Sequence, residues 1–187
     1  MPSVPSPTND PIALTKHWLE RAVIGLNLCP FAKAVYAKQQ VRFVLSDATT
    51  PEALLETLIE ELEWLRDADP QATDTTLLIH PQVLTEFLDY NDFLETADDT
   101  VEALDLEGII QIASFHPDYQ FAGTAPDDIG NYSNRAPFPT LHLLREDSVT
   151  RAVDAFPDAD AIIDRNIATL EQLGVGGWQR LMATPEG

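Results

Sequence analysis

The sequence predicts a single α/β domain: a mixed sheet of roughly four strands covered by helices, with α+β as the neighbouring class. Three observations point there. Short apolar runs at Val41–Asp47, Thr75–Pro81 and Ile109–Phe115 alternate with helical stretches, the pattern of βαβ crossovers and partly parallel pairing. A fourth run, Thr140–Leu144, follows a long loop and is free to return antiparallel. The chain has 187 residues, 44% of them hydrophobic, which suits one domain with one core.

Residues 1–10 hold three prolines and two serines and read as a flexible leader outside the fold. Asn9 or Asp10 then caps a helix with Pro11 in its first turn. Ile12, Leu14, Trp18, Leu19, Ala22, Val23 and Leu26 step along it at helical spacing, to about Leu28. Cys29-Pro30-Phe31 reads as the start of a second helix, with Pro30 at its first position and an end near Lys38. After the first strand, Pro51 opens an amphipathic helix whose stripe is Leu54, Leu55, Leu58, Ile59, Leu62 and Leu65. The second strand leads into a helical stretch from about Val83 to Leu106, stopped by Gly108. Glu146–Phe156 is helical by pattern, and a last helix runs from Asp158 or Asp160 to Leu173, with Gly174 as its stop. The domain is therefore bounded at 11–174, and 175–187 reads as a loosely ordered tail apart from Trp178.

Composition excludes several functions. Acidic residues number 31 against 11 basic, for a net charge of -20, so the chain should repel nucleic acid and anionic membranes. Scarce lysine with abundant aspartate also suits a high-salt cytosol. The single cysteine, Cys29, rules out an intrachain disulfide and fits a reducing cytoplasm. The opening MPSVPSPTND has neither the basic nor the apolar region of a secretory signal, and no run is long and apolar enough to span a membrane.

The stretch Gln111–Glu146 is the best place to look for chemistry. One strand runs into His116, and a loop of about 23 residues follows, rich in Asp, Asn, Gly and Pro. Loops of this length inside a compact domain are uncommon and often functional. This one carries Asn131, Asn134 and Arg135, and the next strand delivers Arg145. Arginine forks grip carboxylates or phosphates, and the two asparagines add neutral donors, so these four residues form a candidate anion pocket. The competing reading pairs the arginines with Asp127, Asp128, Glu146 or Asp147 to pin the loop.

His116 is the candidate general acid/base. The alternative is a ring that hydrogen-bonds to loop backbone and locks a turn. LLIHP and ASFHP both end a strand in His-Pro, so parallel strands would put His80 and His116 at one carboxyl edge, where open α/β sheets usually bind ligands. Cys29, near the expected helix start, is the candidate nucleophile, because a helix N-terminus favours a thiolate. A lone buried and inert thiol is the alternative. His80, His116 and Cys29, or His142, could together hold a metal ion, but none of these residues has a local ligand spacing such as HxH, and no metal site is assigned. The chain has no GxGxxG, GxxxxGK[ST], GxSxG or HExxH motif, and the sequence specifies no cofactor and no oligomeric state.

The segments IGLNLCPFA (Ile24–Ala32), TLLIHPQVLTEFLDYNDFL (Thr76–Leu94), QIASFHPDYQFAGT (Gln111–Thr124) and NYSNRAPFPTLHLLRE (Asn131–Glu146) together resemble the bacterial family known as domain of unknown function 1415. The resemblance spans about residues 12–173. It carries over no reaction and no catalytic residue. The leading functional expectation is a small cytosolic enzyme acting on an anionic small molecule. In it, Asn131, Asn134, Arg135 and Arg145 hold the anion, His116 moves protons, and Cys29 attacks if it reaches the same cleft. The alternatives are a non-catalytic ligand- or protein-binding adaptor, and a metalloprotein using His80, His116 and Cys29.

Overall fold

The computed structural model describes residues 9–156, 158 and 160–183. Most of the expected leader and the last four residues of the expected tail lie outside that range. The sheet has four strands: β1 (Val41–Leu45), β2 (Thr75–Ile79), β3 (Ile110–Phe115) and β4 (Thr140–Arg145). Their order is β1-β2-β4-β3. β1 and β2 run parallel, and β4 lies antiparallel between β2 and β3. The mixed α/β sheet expected from the alternating pattern is therefore present.

The helices follow their local signals. In α1 (Pro11–Trp18), the Asp10 carboxylate accepts from the Ile12 N–H at 3.1 Å and Pro11 occupies the first turn. The helix then widens into a π-helical segment, Leu19–Ile24, rather than continuing regularly to Leu28. At its end a side chain on Gly25 would meet the Arg21 carbonyl oxygen at 2.3 Å, so only glycine fits there. The next helix, α2 (Ala32–Ala37), starts two residues later than Pro30 at N1 would require and is capped by Phe31. Cys29 lies in the preceding turn, where its carbonyl accepts from Ala32 N–H at 3.3 Å. Cys29 is therefore not an N-cap, and six residues of helix supply little dipole.

Thr50 caps α3 (Pro51–Asp67), and α4 (Phe87–Ala103) is one continuous helix. α5 spans Glu146–Ala155. α6 spans Asp160–Met182 and is broken at Gly174, whose φ of 69° lies in the left-handed region. Gly174 interrupts the helix as expected, but the chain resumes helically through Met182 instead of loosening. The reason is Trp178, which is buried against Tyr132 with ring centroids 5.4 Å apart. Burying an indole stabilises a segment by a few kcal/mol, on the order of what ordering a short helix costs.

Each sheet face has its own core. Val44, Leu78, Leu141, Leu143, Ile110 and Ile112 pack against the leucine stripe of α3 and against Tyr90, Phe93, Ala97 and Val101 of α4. On the other face, Phe43 and Phe115 meet Trp18, Leu19, Ala22 and Val23 from the N-terminal helical segments, with Leu170 and Trp178 from α6. β3 and β4 are antiparallel neighbours, which a two-residue turn could join. The chain instead runs through residues 116–139, including a 3₁₀ segment at Ile129–Asn134 against which α6 packs. That length is not needed to connect the strands.

Candidate functional site

The loop between β3 and β4 is held by its own polar side chains. Asn131 is fully buried: its Oδ1 accepts from Phe121 N–H (2.9 Å) and Thr124 Oγ1 (3.0 Å), and its Nδ2 donates to Ala125 O (2.9 Å). Asn134 Nδ2 donates to Ser114 O at 3.0 Å, and its Oδ1 accepts from Ser133 Oγ. Arg135 donates to Tyr119 O (3.1 Å) and Pro126 O (2.6 Å) while its guanidinium lies 4.4 Å from the Tyr132 ring centre. Each such bond contributes about 1 kcal/mol, so together they fix the loop as an ordered unit.

Arg145 stands apart from this set. It lies on the sheet face toward α3, almost fully buried, and donates to Ala68 O (3.2 Å) and Thr73 O (3.1 and 3.2 Å), tying the α3–β2 connection to β4. The ion pairs among the described residues are Arg42–Glu61 and Arg66–Asp67. Among the described residues neither Arg135 nor Arg145 has a carboxylate within salt-bridge distance, so the pairing expected with Asp127, Asp128, Glu146 or Asp147 is replaced by backbone carbonyls. A guanidinium fork meets two carbonyls as readily as one carboxylate, without desolvating a second charge.

His80 and His116 do share the carboxyl edge of the sheet, with Tyr90 of α4 between them at ring-centroid distances of 5.9 and 5.0 Å. Both rings hold the β2–α4 turn. His80 Nδ1 donates to Val83 O at 3.0 Å, and its buried Nε2 has no partner among the described residues. His116 Nδ1 accepts from Asp118 N–H at 3.0 Å, which leaves Nε2 protonated to donate to Leu84 O at 3.1 Å. Burial drives the His80 pKa down to about 4 and lowers that of His116, so both rings are neutral near pH 7. The Tyr90 hydroxyl donates to Thr140 O (2.7 Å) and accepts from Phe115 N–H (3.0 Å), joining α4 to both antiparallel strands. On the opposite face, Thr75 Oγ1 donates to Leu143 O at 2.7 Å, so His142 Nε2, 2.6 Å away, must be the donor to that oxygen. Desolvation lowers the His142 pKa to about 4.

An open cleft of about 550 Å³ lies between α6 and the long loop. Ile163, Asn166, Ile167 and Glu171 of α6 form one wall. Phe121, Thr124, Asp128, Asn131, Ser133 and Asn134 form the other, and Val23, Leu28, Cys29 and Phe115 form the floor. Asn166 Nδ2 donates to Leu28 O at 2.8 Å and so anchors α6 across this floor. The lining is mainly apolar, its carboxylates are Asp128 and Glu171, and it includes no lysine or arginine.

Of the residues singled out by sequence, Cys29, Asn131 and Asn134 meet in this cleft. Arg135 sits on the loop outside its lining, His116 is buried at the edge toward α4, and Arg145 is at the far end of β4. Among the described residues, no three His, Cys, Asp or Glu side chains stand close enough to hold a metal ion, and Cys29 packs on the sheet face away from His80 and His116. The sequence also offers Arg165 and Asn166 of the last helix as contributors to the pocket, and Asn166 does line the cleft; sequence reasoning missed Tyr90 and the apolar α6 residues Ile163 and Ile167. Spacing in α4 could have found the first, since Tyr90, Phe93, Ala97 and Val101 form a helical stripe. Ile163 and Ile167 are one helical turn apart, and with 64% and 39% of their surface exposed they are an apolar pair facing outward from α6.

Among the described residues, no helix is long and apolar enough to cross a membrane. No curated protein and no solved structure matches the chain. The family described as Protein of unknown function (DUF1415) matches residues 10–180, which takes in every strand and both walls of the cleft, and the chain belongs to that family.

Proposed function

We propose that the protein is a small-molecule-binding protein whose ligand has an apolar body and a neutral or cationic head, held between α6 and the β3–β4 loop. The observation that carries this reading is the lining of the cleft: Phe115, Phe121, Ile163 and Ile167 offer apolar surface, and among the described residues its carboxylates are Asp128 and Glu171 and no cationic side chain lines it. The alternative with an anionic substrate and His116 as proton carrier has weaker support. Arg135, Arg145 and His116 already donate to backbone carbonyls, so binding an anion there would leave those carbonyls unpaired. We also infer a cytoplasmic location without a nucleic-acid role, on the single thiol and the net charge of -20.

The test is thermal unfolding of the full chain against alkyl- and arylamines, neutral amphiphiles, carboxylates and phosphates, combined with the rate at which Cys29 reacts with iodoacetamide. A ligand of the native state raises the midpoint by mass action. Amines or neutral amphiphiles are expected to raise it and to slow alkylation of Cys29. Glu171→Gln is expected to weaken the amines and leave the neutral compounds unchanged. A response confined to phosphates or carboxylates and removed by Arg135→Ala would overturn this reading in favour of the anion-binding enzyme.

A further inference from the structure

Charge is unevenly spread along this chain. Residues 1–42 hold Lys16, Arg21, Lys33, Lys38 and Arg42 against Asp10 and Glu20, a net of +3, which leaves -23 for the remainder of a chain whose total is -20. All of its lysines lie in that first segment. Its first helix, α1, packs beside β1, an outer strand of the sheet. Lys16 Nζ is 5.0 Å from the centre of the Phe43 ring, and Lys38 caps α2 three residues before the strand begins at Val41. Lys16, Lys33 and Lys38 are exposed, and among the described residues none is in an ion pair, whereas Arg42 is paired with Glu61 and the Glu20 carboxylate accepts from the Tyr36 hydroxyl.

The backbone of β1 is also half unused. Gln40 O accepts from Thr75 N–H at 3.3 Å, Ser46 N–H donates to Ile79 O at 2.8 Å, and the register runs from Val41↔Thr75 to Leu45↔Ile79. Even-numbered residues therefore face β2, and the N–H and C=O groups of Val41, Phe43 and Leu45 point away from the sheet. Among the described residues, nothing hydrogen-bonds to those groups. Beside them lies a groove of about 430 Å³ lined by Lys16, Tyr36, Ala37, Gln39, Val41 and Phe43. The Leu45 side chain, 45% exposed, ends the strand.

We propose that the free edge of β1 docks an extended acidic segment of a partner protein, which adds a fifth strand to the sheet. Main-chain hydrogen bonds to Val41, Phe43 and Leu45 supply affinity, and carboxylates of the segment meet Lys16 and Lys38 at the groove. Charge selects this occupant over the others. Pairing β1 with β1 of a second copy would set two lysine-bearing rims together between molecules that each carry -20. Nucleic acid has no use for a row of strand amides and would face the -23 of the remaining chain. This site is separate from the α6 cleft and does not depend on how that cleft is read.

The experiment is fluorescence anisotropy of a labelled peptide of about eight residues, alternating Glu and Val so as to pair as a strand, titrated with the full chain. Hydrogen exchange of the Val41, Phe43 and Leu45 amides is followed in parallel. The Glu-Val peptide is expected to bind, to weaken as salt rises and to slow exchange at those amides, while a Lys-Val peptide does not. Leu45→Pro removes one outward N–H without touching the β2 ladder and is expected to weaken binding about tenfold. Lys16→Glu with Lys38→Glu is expected to weaken binding and reverse its salt dependence, and circular dichroism checks that each variant keeps its fold. The proposal is overturned if no binding is seen at about 1 mM, or if the Lys-Val peptide or the variants bind equally well. It is also overturned if sedimentation finds a dimer that Leu45→Pro dissociates, if duplex DNA protects the same amides, or if the peptide binds only after removal of residues 1–8. Those last three results assign the edge to a second copy, to nucleic acid and to the chain's own leader, respectively.

Discussion

At the scale of single residues, several side chains that look chemical in the sequence are engaged in hydrogen bonds to backbone carbonyls. Arg145 is the strongest case. It is nearly buried and serves three hydrogen bonds to backbone carbonyls, so Arg145→Met leaves Ala68 O and Thr73 O short of donors. Urea unfolding should register a loss of about 1–3 kcal/mol, and Arg135→Ala, on a half-exposed loop, a smaller one. An unchanged Arg145→Met midpoint would show those bonds to be dispensable. The histidines give a pH signature. His80 and His142 have native pKa values near 4, below the ordinary 6.5, so the unfolded chain binds more protons between those values. Their contribution, on the order of 3 kcal/mol for each ring, is complete above about pH 6.5 and is lost as pH falls toward 4. Denaturation midpoints measured from pH 7.5 to 4 should fall accordingly, and His80→Gln should flatten the slope. The candidate residues were visible in the sequence, and so was the reading of His116 as a ring that locks a turn, but the bonding partners were not, because an acceptor such as Thr73 O lies 72 residues from Arg145.

At the scale of elements, local chemistry sets the starts and stops, and packing decides the exceptions. Asp10, Thr50 and Gly174 act where their residue types suggest. Gly174 adopts φ 69°, and a Cβ there would meet nothing within 4 Å, so its requirement is purely conformational. Gly174→Ala should cost about 1–2 kcal/mol and loosen the 175–182 helix, measurable as faster amide exchange around Trp178. Gly177→Ala differs in cause, since its Cβ would come within 2.7 Å of Leu173 Cδ1. If the two substitutions proved equally mild, the break would not be held by the backbone. The π-helical turn after Trp18 and the late start of α2 were not legible, since helical spacing of apolar residues cannot reveal an added backbone residue per turn.

At the scale of the whole molecule, charge is the dominant variable. A net charge of -20 on 187 residues repels itself in the folded state more than in the expanded one, so the thermal midpoint should rise from low to molar NaCl. A midpoint independent of salt would mean that the uneven charge distribution, with its basic N-terminal segment, already offsets the repulsion. Lys16 of that segment lies over Phe43 of β1, whereas the carboxylates lining the α6 cleft are Asp128 and Glu171, and the ligands proposed for the two surfaces differ in charge accordingly.

The alternation of apolar runs with helical stripes was enough to specify an α/β domain with a mixed sheet, because strand and helix periodicities are local properties of the chain. The His-Pro echo aligned His80 and His116 at one edge on the condition that their strands run the same way, which β2 and β3 do on either side of β4. Three-dimensional packing alone decided that β4 enters between β2 and β3, that α6 continues past Gly174 to bury Trp178, and that Cys29 faces Ile167 and Asn166 across a cleft. It also decided that Arg135 and Arg145 are taken up by carbonyls. Each of these depends on contacts between residues far apart in sequence, whose pairing is chosen by burial and hydrogen-bond satisfaction and leaves no periodic trace in the chain.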